Sequence, residues 1–114
     1  MMFFIMTTPQ TPSGTPATSP AVSFGPMVTA LGDPNRWLIL AELSDGEPHM
    51  VVEIAGAIKR SPDSTSKHLA VLRKAGMVVI GQAGLYRIPK QFLPTPGERV
   101  VDYGYCLLRL PAKQ

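Results

Sequence analysis

The chain has 114 residues, is 45% hydrophobic and carries a formal net charge of +3. That size suits one modest core and leaves little room for a regulatory domain beside a catalytic one. A single cysteine, Cys106, excludes an intramolecular disulfide and a cysteine-rich zinc site, and is compatible with a cytoplasmic protein.

The charge is unevenly spread. No charged residue precedes Asp33, whereas Lys59, Arg60, Lys67, Arg73, Lys74, Arg87 and Lys90 fall in a stretch opposed by Asp63 alone. Local charge, more than the total, makes a phosphate-binding face. Residues 1–6 are apolar but too few to span a bilayer, and they lack the basic flank and longer apolar run of a secretory signal; Met1 or Met6 can serve as the start. Residues 7–23 are rich in Thr, Ser and Pro, so residues 1–23 read as a disordered tail with too little to bury to offset its ordering entropy.

A folded unit is expected over residues 24–110, with 111–114 a short tail. Pro26 suits the first turn of a short helix reaching about Leu31. Asp33-Pro34 is a second start signal, a capping carboxylate followed by a proline whose missing N–H costs nothing there. The helix it opens runs to about Ser44, with Arg36, Ile39, Leu40 and Leu43 at helical spacing and Asp45-Gly46 ending it. A third helix spans about 50–59, its Val51, Ile54, Ala55 and Ile58 on one face. Ser61-Pro62-Asp63 is the clearest start of all. In the helix that follows, Thr65, Leu69, Leu72 and Ala75 face the core, and Gly76 stops it by admitting a left-handed residue.

The pattern then turns to β. Residues 77–80 and 85–88 read as a hairpin around Gly81-Gln82-Ala83-Gly84, and an irregular connection rich in proline leads to a last β-prone segment, 99–110, bent at Gly104. Left unpaired, that segment would be an aggregation-prone edge. It is expected to pair within the sheet or across a two-fold axis.

Short helices, a tight turn, a well-capped helix with polar exposed residues and then a hairpin describe an α+β winged helix-turn-helix. Its fourth helix, residues 61–75, has the dimensions to enter a DNA major groove while the preceding helix crosses the backbone. Ser61, Ser64 and Ser66 allow close approach, Lys67, His68, Arg73 and Lys74 can meet phosphate or guanine, and Gln82, Tyr86 and Arg87 are the expected contributors from the wing. The helix N-terminus adds attraction for a phosphate. For His68 a base or phosphate contact and a capping or packing role stand level. His49 reads as an ordinary loop residue, Cys106 as a small packed apolar group, and Trp37 and Leu38 as core or interface.

Several segments in register resemble the ArsR-type winged-helix repressors: Leu31-Gly32-Asp33-Pro34-Asn35-Arg36 with Ile39, Leu40 and Leu43; Glu53-Ile54-Ala55; Ser64-Thr65-Ser66-Lys67-His68-Leu69; and Val71-Leu72-Arg73-Lys74-Ala75-Gly76-Met77-Val78. The likeness covers about residues 27–88. It implies a dimeric regulator of double-stranded DNA, with Ser64, Ser66, Lys67 and His68 on the exposed recognition positions. The chain departs from the family in three places. His49-Met50-Val51-Val52 stands where metal sensors carry paired cysteines, which argues against a metal or other cofactor there. The wing tip lacks arginine and lysine, and the C-terminal segment has strand rather than helix character. No nucleophile with a base and no phosphate-binding glycine loop is present, so an enzyme is not expected. No membrane association is expected, and the sequence names no effector. The competing reading is a winged-helix protein-interaction module, since fold alone does not fix function.

Overall fold

The computed structural model describes residues 22–112. The apolar start and most of the Thr/Ser/Pro-rich segment, expected to be disordered, lie outside the described residues, as do residues 113–114. Four helices come first: α1 (Phe24–Ala30), α2 (Pro34–Leu43), α3 (Val51–Ile58) and α4 (Pro62–Lys74). Two short antiparallel hairpins follow, β1 (Val79–Ile80) with β2 (Tyr86–Arg87), and β3 (Val100–Asp102) with β4 (Leu107–Arg109). Among the described residues no helix is long and apolar enough to cross a membrane.

The helix boundaries follow from local chemistry. Asp33 accepts a hydrogen bond from the Asn35 N–H at 2.8 Å, and Pro34 opens α2. The Ser61 side chain accepts from the Ser64 N–H at 3.1 Å, and Pro62 opens α4. At the other end of α4, Gly76 adopts φ +83°. Its N–H bonds the Arg73 carbonyl at 2.9 Å, and the Met77 N–H bonds that of Leu72 at 3.0 Å. This paired closure satisfies two carbonyls the helix would leave orphaned. At α1, whose C-terminal carbonyls also need partners, the donors come from α2: Arg36 Nε reaches Ala30 O at 2.7 Å and Trp37 Nε1 reaches Leu31 O at 2.9 Å.

Ile39, Leu40 and Leu43 of α2, Ile54 and Ile58 of α3, and Leu69 and Leu72 of α4 are fully buried in one cluster with Ala75, Met77, Val78 and Ile88, and Ala55 of α3 is buried as well. Helical spacing had assigned most of this face. Arg36 departs from it, because its guanidinium turns to the α1 carbonyls and to α4.

The first hairpin pairs Val79 with Arg87 and Ile80 with Tyr86. His49, ahead of α3, adds a third short rung. Its N–H and C=O exchange 2.8 Å bonds with those of Tyr86. His49 is therefore not the ordinary loop residue expected from sequence; it joins the start of α3 to the wing.

Residues 99–110 correct the expectation of a strand pairing within the wing sheet. They fold back on themselves, Val101 opposite Leu108, around a turn at Gly104 with φ +91°. Val101, Tyr103, Leu108 and Leu110 are buried, whereas Asp102, Leu107 and Arg109 are exposed. The buried Tyr103 hydroxyl donates to the Met77 carbonyl at 2.8 Å and fastens this second hairpin just beyond the end of α4. Burial pushes the Tyr103 hydroxyl pKa far above its ordinary value, which keeps the donated proton in place. Cys106 sits 3.9 Å from the Met27 sulfur, and burial together with the Asp102 carboxylate pushes its thiol up, as suits a packed and unreactive side chain.

Candidate nucleic-acid interface

The core stripe of α4 dictates what its other faces present. With Thr65, Leu69 and Leu72 buried, Ser61, Ser66, Lys67, Arg73 and Lys74 are exposed, and Ser64 is half-buried. The Ser61 oxygen is engaged as the helix cap, which leaves its hydroxyl proton free to donate. Ser66 and Lys67 are thus adjacent on one exposed surface, with Arg73 and Lys74 two turns further along. The Lys67 ammonium lies 3.5 Å from the Asp63 carboxylate, both more than three-quarters exposed, a pair weak enough to yield to a phosphate.

Asp63 modifies one expectation. It occupies the first turn of α4, where it complements the helix dipole but opposes an incoming phosphate. The positive end of α4 is therefore a weaker anion site than the spacing alone implies.

His68 is turned inward. Its side chain is 16% exposed; Nδ1 lies 3.2 Å from an Arg36 guanidinium nitrogen and 4.0 Å from Asp33 Oδ2. Of its two expected roles the packing one is observed, and contact with an outside group is left to the part of the ring that remains accessible.

In the wing, Gln82 is exposed at the tip beside Ala83, whose φ of +60° makes the tight turn. Arg87 is half-buried. Tyr86 is only 8% exposed and belongs to the core cluster. The contact expected from Tyr86 stands against this burial, since its side chain lies on the inner face of the hairpin.

Two groups stand outside the residues expected at the site. Lys59 and Arg60 are exposed in the turn between α3 and α4, Lys59 in the left-handed region at φ 61°, and Arg60 Nε donates to Asn35 Oδ1 at 3.0 Å. Their position directly before the Ser61 cap was the available signal. The second group surrounds His49. Nδ1 is 2.6 Å from Glu53 Oε2 and Nε2 is 2.9 Å from Asp45 Oδ2. With a carboxylate at each nitrogen, the ring is served best as an imidazolium donating twice. Burial opposes that charge, but the hydrogen bonds and charges of Glu53 and Asp45 outweigh it and raise the His49 pKa. The same contact, with the Met50 N–H, lowers that of Glu53.

No curated protein matches the chain. Residues 33–79, from the cap of α2 to the first wing strand, match the family model of bacterial regulatory proteins of the arsR family. Together with four helices and an antiparallel wing hairpin in this order, the match identifies residues 33–79 as an ArsR-type helix-turn-helix domain, the DNA-binding unit of a transcriptional regulator.

Proposed function

We propose that the protein is a sequence-specific transcriptional repressor that binds its operator as a homodimer, with α4 in the major groove and the β1–β2 hairpin as the wing. The observation that carries this reading is the exposed surface of α4. Its small hydroxyl side chains permit close approach, and Lys67, Arg73 and Lys74 supply charge beside them. Ser61, Ser64 and Ser66 are the proposed reading group, Lys67, Arg73 and Lys74 the backbone group, and Gln82 and Arg87 the wing contacts. The repressor sense rests on the family resemblance.

The dimer reading draws support from a second surface. Phe24 and Val28 of α1, with Tyr105 and Leu107 of the second hairpin, are each more than half exposed, and the Phe24 and Tyr105 rings meet edge to face at 5.0 Å. Burying such side chains against a second copy is favourable. Two α4 helices would then address half-sites about one helical turn apart.

The test is a mobility shift of duplex DNA from a random pool, enriched over successive rounds and titrated across a salt series. Affinity should fall linearly on a log–log scale as salt rises, because bound phosphates release counterions. Failure to enrich any duplex, or binding indifferent to salt, would overturn the reading in favour of a protein-interaction module.

A further inference from the structure

Arg36 makes three hydrogen bonds through different guanidinium nitrogens. Nε donates to Ala30 O at 2.7 Å, one terminal nitrogen to Thr29 O at 3.3 Å, and the other contacts His68 Nδ1 at 3.2 Å. A guanidinium carries donors only, so for the last contact to be a hydrogen bond Nδ1 must offer its lone pair. The neutral His68 ring then holds its proton on Nε2. Asp33 Oδ2 stands 4.0 Å from the same Nδ1, beyond hydrogen-bond reach, and its other oxygen is committed to the cap of α2. The first turn of α2 is itself braced against the α3–α4 turn by the Arg60–Asn35 bond at 3.0 Å. The carbonyl end of α1, the Arg36 side chain and the His68 ring thus form one connected chain ending on α4.

We propose that Arg36 is a positioning residue for DNA recognition: by donating to Nδ1 it fixes both the orientation and the tautomer of His68, so that α4 presents an Nε2–H donor to an acceptor atom of the DNA. This rests on the DNA-binding reading above. The chemistry suits guanine N7 or O6, adenine N7, thymine O4 or a phosphate oxygen, and excludes the cytosine amino group. Arg36 itself touches no nucleotide. Its effect on binding passes entirely through His68, which makes the two residues energetically coupled.

Two measurements on the full chain test the proposal. In the free protein, long-range proton–nitrogen correlation spectra of the His68 ring should show Nδ1 unprotonated and Nε2 protonated, and Arg36→Met should shift the Nδ1 signal. A ring protonated chiefly on Nδ1, or one indifferent to Arg36→Met, overturns the assignment without reference to DNA. The second measurement is a double-mutant cycle with Arg36→Met and His68→Ala, read by fluorescence anisotropy on a labelled duplex enriched by the wild-type protein. Arg36→Met should weaken binding about fivefold in the wild-type background, the scale of one hydrogen-bonded contact, and leave the His68→Ala protein unchanged. Equal losses in both backgrounds would mean that Arg36 serves folding alone and would overturn the proposal. Should Arg36→Met fail to fold, Arg36→Gln, which keeps a side-chain donor, takes its place in the cycle. A loss confined to the enriched duplex assigns the acceptor to a base; an equal loss on random duplex assigns it to a phosphate. If no duplex is enriched, the DNA-binding reading fails and the donor's role with it, while the ring spectra still decide the Arg36–His68 pair.

Discussion

Replacing Tyr103 by phenylalanine removes one oxygen atom from the interior and little else. The ring stays packed against Phe92, whose centroid lies 5.0 Å away. What is lost is the 2.8 Å bond to the Met77 carbonyl. Tyr103 is 3% exposed, so water does not readily replace the missing donor, and the carbonyl is left to bear part of its desolvation cost. A buried acceptor deprived of its partner costs about 1–3 kcal/mol. For a domain of this size each kcal/mol moves the melting temperature by about 4–8 °C. A differential scanning calorimetry comparison should therefore place Tyr103→Phe at least about 4 °C below the wild type. An unchanged melting temperature would mean that the second hairpin is held by apolar packing alone and that the hydroxyl bond contributes nothing net.

Other expectations concern single groups. Thr65 is fully buried, and its hydroxyl has no partner among the described residues; Thr65→Val keeps the shape, discards the unsatisfied group and should stabilise the protein by about 1 kcal/mol in urea unfolding, whereas a loss would reveal a bond made by that hydroxyl. His49 has a raised pKa in the fold, so its contribution to stability is complete below its ordinary value of 6.5 and fades as pH rises through the folded value. Glu53 has a lowered one, so its contribution holds above 4.5 and fades as pH falls through the folded value. The melting-temperature gap between wild type and His49→Gln should accordingly narrow from about pH 6 to about pH 9, and a constant gap would refute the doubly paired imidazolium. Lys67→Ala should weaken binding to enriched and random duplexes alike and lower the log–log salt slope by about 1; an unaltered slope would remove Lys67 from the phosphate contacts.

The elements whose signals are local were legible in the sequence. Asp33-Pro34 and Ser61-Pro62-Asp63 start helices because a side-chain oxygen and a proline act within three residues of each other, and Gly76 stops α4 by its own backbone freedom. Spacing at three and four residues likewise separated Thr65, Leu69 and Leu72 from Ser66 and Lys67. The misses involve partners distant in sequence. A tyrosine in a hairpin can face either way, and Tyr86 faces inward to pack in a cluster drawn from helices far from it in sequence. The β-prone stretch 99–110 announced strands, yet their pairing with each other and the Tyr103–Met77 contact that fastens them beyond α4 have no local signal. Arg36 sat on a helical face otherwise made of leucine and isoleucine, and periodicity gives no sign that its guanidinium reaches the end of one helix and the middle of another.

Both ends of the folded region converge on the last turn of α4. The Ser23 N–H bonds the Ala75 carbonyl at 3.0 Å, and two residues further on Tyr103 holds Met77. Segments separated by some eighty residues thus close over the same few peptide groups, while the start of α4 is closed by its own Ser61 cap. In the language of native-state exchange, the two halves of this helix are expected to belong to different cooperative units. Amides near the C-terminal end of α4 should lose their protection together with those of the second hairpin, and amides near Ser64 and Thr65 should hold out until the helical core opens.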